Sequence, residues 1–212
     1  MSKKDELATL IETLYSEDMS VYEKNHAKIS DYYGDKFKAY LSPYSEKAHN
    51  YDSKIMIVGQ DWMHKAKFEA MTQEELDTIS SGMNPELKTN KVLLKNLQEY
   101  FGLTWEEVYA TNAFLHLKDT KTSTGYISAS DMRRHVSKYL IPQINIIQPE
   151  KALIFGANAS NQFRKVVGIE KSCTSYKHND TLVFFMHHPA SSKSNKEKNL
   201  QWEKAAQPYS SF

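Results

Sequence analysis

Four short apolar runs limit what this chain can fold into: Ile55–Val58, Val108–Thr111, Ala152–Phe155 and Thr181–Met186. Each has the length and composition of a strand. Their apolar residues are nearly continuous rather than alternating, which suits strands buried on both faces. Helical stretches separate them. Leu93, Leu94, Leu97 and Phe101 share one side of a segment from Asn90 to Phe101, with Gly102 as a stop. Thr104-x-x-Glu107 is a capping-box pattern just before the second run. A longer helix starts near Ser128, which Ser128-x-x-Asp131 can cap, and Val136, Leu140, Ile144 and Ile147 form its stripe. Pro142 should kink or divide it, and Pro149 closes it. Gly156 leads into a further helix at Ala157–Val166. Alternating strands and helices of these lengths predict an α/β fold: a parallel sheet with right-handed crossovers and helices on both faces.

The 212 residues fit one domain, 1–212. Within it, residues 1–50 read as an N-terminal helix and an aromatic-rich lead-in, 51–192 as the core, and 193–212 as a polar tail. Leu7, Leu10, Ile11 and Leu14 give the first helix its apolar face. Tyr32, Tyr33, Phe37, Tyr40 and Tyr44 fit either a base-stacking surface or aromatics that pin an extended segment to the core. The tail is expected to be an exposed helix anchored by Trp202. The single cysteine, Cys173, excludes an internal disulfide and a multi-cysteine metal or iron–sulfur site. A net charge of +1 means that any nucleic-acid contact must use a local basic patch; Lys193, Lys196 and Lys198 are either such a patch or a solvated tail. No segment approaches the roughly 18 apolar residues of a membrane span, and the N-terminus lacks the pattern of a signal peptide. A cytoplasmic, monomeric protein is expected.

The ends of the four runs carry the chemistry. They read Gly59-Gln60-Asp61, Thr111-Asn112, Gly156-Ala157-Asn158 and His187-His188-Pro189. In an open parallel sheet, ligands bind beyond the carboxyl ends of the strands. One edge thus collects a carboxylate, an amide and an imidazole. A carboxylate can activate water or stabilise a developing cation. An asparagine presents donor and acceptor side by side to a base edge. A histidine can donate to an oxygen that gains negative charge. Together they suit cleavage of an N-glycosidic bond. Asp61 also fits a helix N-cap, Asn112 a turn former, and one of His187 and His188 a backbone-bonded imidazole. Neighbouring His187 and His188 are not expected to bind a metal together.

Gly59-Gln60-Asp61-Trp62-Met63-His64 resembles the Gly-Gln-Asp-Pro-Tyr-His motif of the uracil-DNA glycosylase superfamily, and His188-Pro189-Ala190-Ser191-Ser192 resembles its His-Pro-Ser-Pro-Leu-Ser motif. Val108–Asn112 and Ile146–Gly156 are similar to the intervening strand and the helix–Pro–strand–Gly passage, in the same order. The resemblance implies a three-layer α/β/α sandwich with a four-stranded parallel sheet, and base flipping of DNA. It implies no metal and no cofactor. By position, Asp61 would activate water or stabilise the oxocarbenium ion, Gln60 would line the base pocket and Asn112 would bond the uracil edge. His188 would stabilise the departing uracil anion as a neutral donor, and Ser191 and Ser192 would hold phosphates. Phe68 is the first choice for the stacking aromatic and Phe114 the second. Trp62 and Met63 replace the family's proline and thymine-excluding tyrosine. Ser192 replaces the wedge leucine, which implies weak action on duplex DNA or a preference for single strands.

Overall fold

The structure, a computed structural model, describes residues 1–33, 38–79, 82–121 and 125–208. Its sheet contains β1 (Ile55–Gly59), β2 (Tyr109–Asn112), β3 (Lys151–Phe155), β4 (Ser175–His178) and β5 (Thr181–Met186), in the order β2-β1-β3-β5-β4. The four strands expected from the apolar runs are mutually parallel. The fifth, β4, is antiparallel to β5 and joins it through Asn179 and Asp180. Its sequence, Ser-Tyr-Lys-His, is polar and only partly buried, so it carries no apolar run to announce it. It holds its place through backbone pairing at the sheet edge.

Side chains along the strands alternate between two cores, which explains the unbroken apolar runs. Met56, Val58, Ala152, Ile154, Val183 and Phe185 face a core shared with helices α1 (Lys3–Ser16), α6 (Ala129–His135), α7 (Ile141–Ile147) and α8 (Ala157–Val167). Ile55, Ile57, Leu153, Phe155, Phe184 and Met186 face the opposite way, onto α5 (Lys88–Phe101) and α9 (Asn195–Ala206). Each large side chain buried in this way contributes about 1.5–3 kcal/mol. The result is the three-layer α/β/α arrangement. Trp202 anchors α9, 3% exposed and stacked on Tyr100.

Ser128 caps α6 by accepting from the Asp131 N–H. Between α6 and α7 the helix widens into a π turn over Val136–Leu140. Pro142 follows in the first turn of α7, where a missing N–H costs little. The proline therefore divides the helix, and the wider turn absorbs the mismatch. A satellite cluster of Ala27, Ile29, Phe68, Ile79 and Leu117 packs beside short helices α3 (Lys65–Glu69) and α4 (Gln73–Thr78). Of the lead-in aromatics, Tyr32, on the single turn α2 (Ser30–Tyr33), sets its ring edge-on to Phe68, and Tyr40 lies against His49. Phe37 and the side chain of Tyr33 lie outside the described residues. No helix among the described residues is long and apolar enough to cross a membrane.

Candidate active site at the carboxyl edge of the sheet

Gly59 ends β1 in register with Asn112, the last residue of β2. The chain beyond each strand stays zipped to the other. Ala113 N–H donates to Gly59 O at 2.7 Å, and Phe114 N–H to Gln60 O at 3.0 Å. Asn112 is 1% exposed. Its Oδ1 accepts from the Ser42 hydroxyl at 2.6 Å, while its Nδ2 is buried with no hydrogen-bond partner among the described residues. Glycine at 59 is what admits this amide. A Cβ there would stand 2.5 Å from Asn112 Nδ2 and 3.1 Å from Tyr44 Cε2. Tyr44 thus covers the end of β1 beside Asn112. Burial, and then the charge of Asp61, push its phenol well above the usual range.

Asp61 is not a helix cap: α3 begins at Lys65 and is capped by His64, whose Nδ1 accepts from the Lys67 N–H at 3.1 Å. The Asp61 carboxylate instead meets Lys118, with Nζ 2.7 Å from Oδ1, and accepts from Gln60 Nε2 at 3.3 Å on Oδ2. The Lys118 side chain is 3% exposed and that of Asp61 13%. Gln60 turns its other atom inward, its Oε1 accepting from the Asn158 N–H at 3.3 Å. Gly156, at φ +102°, leaves room for that side chain. Asp61 and Lys118 line a cleft of about 480 Å³ together with Trp62, Met63, His64 and Met71.

His188 follows β5. Its Nδ1 accepts from the Ala190 N–H at 3.2 Å, so the hydrogen-bond network assigns the neutral ring's proton to Nε2, as a donor. Burial holds its pKa below the usual histidine range; Lys118 and Lys198 act in the same direction, and Asp61 opposes them. His188 therefore lies within electrostatic reach of both members of the Asp61–Lys118 pair. His187 bonds elsewhere, donating its N–H to Gln201 Oε1 at 2.7 Å. Lys198 donates to Pro189 O and Ser191 O, each at 3.0 Å, and so staples the turn. It does not belong to a solvated tail. Lys193 pairs with Glu197. Ser191 buries its Oγ without a partner, and Ser192 is exposed.

Asp61, Gln60, Asn112 and His188 are thus gathered at one sheet edge. The two phenylalanines expected to stack a base are elsewhere. Phe68 is 5% exposed inside the satellite cluster, against Tyr32 and Trp62. Phe114 is fully buried between Tyr22, His26 and His135. Both are enclosed by other rings, and Tyr44 is an aromatic beside Asn112. Sequence reasoning missed Ser42 and Lys118. A buried-strand-like stretch, Ala113–Leu117, running straight into Lys118 was the available signal.

A second polar cluster lies in the core. Ligand atoms of Glu17, His116 and His135 fall within 4.8 Å of one another. The donor set does not suit a metal ion. Leu115 N–H donates to His135 Nδ1, so Nε2 carries the proton and donates to the Tyr22 hydroxyl. Glu17 is already met by Lys138 Nζ at 2.8 Å, Arg134 Nε at 3.2 Å and the hydroxyls of Tyr22 and Tyr139. His116 Nε2 stands 3.7 Å from Glu17, beyond hydrogen-bond distance.

A sequence model of the Uracil DNA glycosylase superfamily matches residues 46–208. The chain belongs to this superfamily. The match takes in Gln60, Asp61, Asn112, Lys118 and His188, and starts after Ser42 and Tyr44. Membership accounts for the α/β sheet. No curated protein matches the chain.

Proposed function

We propose that the protein hydrolyses the N-glycosidic bond of uracil, or of another deaminated base, in DNA. The carrying observation is that Asp61, Asn112 and His188 all stand at the carboxyl ends of parallel strands, on one sheet edge, in a member of this superfamily. The target nucleotide leaves the stack and enters the site. Asn112 reads the base edge, with its unpartnered Nδ2 as a donor to a carbonyl. Asp61 stabilises the positive charge that develops at C1′, orients water against it and takes up that water's proton as the C1′–O bond forms. As the C1′–N1 bond breaks, its electron pair leaves with the base. His188 Nε2–H donates to the oxygen that takes up the charge, with no proton transfer required. Tyr44 replaces Phe68 as the stacking candidate. Ser191 and Ser192 approach the phosphates.

The test is a uracil-containing single-stranded oligonucleotide, read by alkaline scission. Wild-type protein should nick at uracil. Asp61→Asn should slow release by about 10³-fold or more while retaining DNA binding; unchanged release removes Asp61 from the chemistry. A second reading, a member of the fold that binds DNA without cutting it, is favoured by the exposed Ser192 in place of a wedge and by the sealed Asn112. DNA retention without nicking would select it.

A further inference from the structure

We infer that Lys118 is a positioning residue for Asp61: it occupies one carboxylate oxygen and leaves the other to face the reaction. The inference rests on the reading of Asp61 as the water-orienting carboxylate. The two oxygens are treated unequally. Oδ1 is held by the ammonium at 2.7 Å, whereas among the described residues Oδ2 meets only the Gln60 amide at 3.3 Å. A short charge-assisted contact fixes the plane of the carboxylate; the longer amide contact is easily exchanged for water.

Lys118 is itself anchored by its backbone. Its N–H donates to Met63 O at 3.3 Å, and its carbonyl accepts from the Lys65 N–H at 2.9 Å. The residue is thereby pinned to the loop that carries Asp61, and carboxylate and ammonium move as one unit. Burial makes the pair consequential. At 3% exposure the lysine side chain has little water to fall back on, and the carboxylate at 13% has scarcely more. Removing one partner strands a buried charge, whereas removing both does not. Loss of the ammonium frees Asp61 to rotate, and a small misplacement of a reacting group is enough to cost about 10²-fold in rate.

The wild-type protein and four variants test this: Lys118→Met, Lys118→Arg, Asp61→Asn and the double variant Asp61→Asn with Lys118→Met. Single-turnover uracil release and DNA affinity are measured separately. Lys118→Met should release base about 10²-fold more slowly with DNA affinity unchanged. Lys118→Arg should recover most of the loss. In the Asp61→Asn background, Lys118→Met should cost nothing further. An equal cost in both backgrounds overturns the inference, as does a loss confined to DNA binding. Borohydride trapping of Lys118 on preformed abasic DNA also overturns it, because it makes the amine a nucleophile. If the wild type releases no base, the glycosylase reading fails by itself, and urea unfolding still decides the pairing. Lys118→Met should then destabilise the protein that keeps Asp61 and spare the Asp61→Asn variant; equal destabilisation of both rejects the pair.

Discussion

His188 shows how one backbone contact sets the chemistry of a side chain. The Ala190 N–H occupies Nδ1, which leaves Nε2–H as the only donor the neutral ring can offer. Burial, reinforced by Lys118 and Lys198, lowers the pKa, so the neutral form persists to lower pH than in an ordinary histidine. Base release should therefore stay level as pH falls from about 7.5 to about 6, past the ordinary histidine value. A decline centred near 6.5 contradicts this. His188→Ala should slow release by about 10²–10³-fold, the usual cost of one such donor, and leave DNA binding intact. A pure binding loss in single-turnover kinetics would remove it from the chemistry.

At the scale of elements, the parallel strands were legible because burial on both faces demands uninterrupted apolar residues, and Ile55 to Val58 and Leu182 to Met186 show the pattern plainly. The helix stops were legible where chemistry forces them, as at Gly102 with φ +68°. β4 was not, because an edge strand needs backbone pairing more than side-chain burial. The turn that forms it depends on Asn179, held at φ +52°. Asparagine and glycine tolerate this region and alanine does not. Asn179→Ala should lower unfolding free energy by about 1–2 kcal/mol in urea, and Asn179→Gly should be near neutral. Equal effects would show that backbone conformation is not what the asparagine supplies. The site was legible for the same reason as the strands: Asp61, Asn112 and His188 follow apolar runs directly. Ser42 and Lys118 were not, because they reach the sheet edge through loops, where no periodicity announces direction. Phe68 was misplaced because an aromatic near a motif says nothing about which cavity its ring fills.

At the scale of the molecule, the core cluster around Glu17 governs response to acid. Burial alone would raise the Glu17 carboxyl, but the Lys138 ammonium and the Tyr22 and Tyr139 hydroxyls bonded to it hold it well below its usual range. Burial lowers the pKa values of His26, His116 and His135, so each resists protonation in the fold. The unfolded chain takes up protons on these histidines below about pH 6.5, and the native state resists doing so. Stability is thus fully present above that pH and is lost on acidification, by about 1.4 kcal/mol per pH unit for each histidine that remains neutral. Below about pH 4.5, protonation of the Glu17 carboxylate in the unfolded chain adds to the loss. The melting temperature should fall steadily between pH 7.5 and 5; a flat profile would show that these rings are not protected.

Ser42, which orients the Asn112 amide, and Tyr44, which roofs it, both precede residue 46, where the superfamily match begins. Glu17, Tyr22 and His26 precede it too. A shortened chain that kept every motif would lose the hydroxyl that holds the Asn112 amide, the ring beside Gly59, and the counter-charge of Lys138 and Arg134. The lead-in is a wall of the house, built before the rooms it encloses.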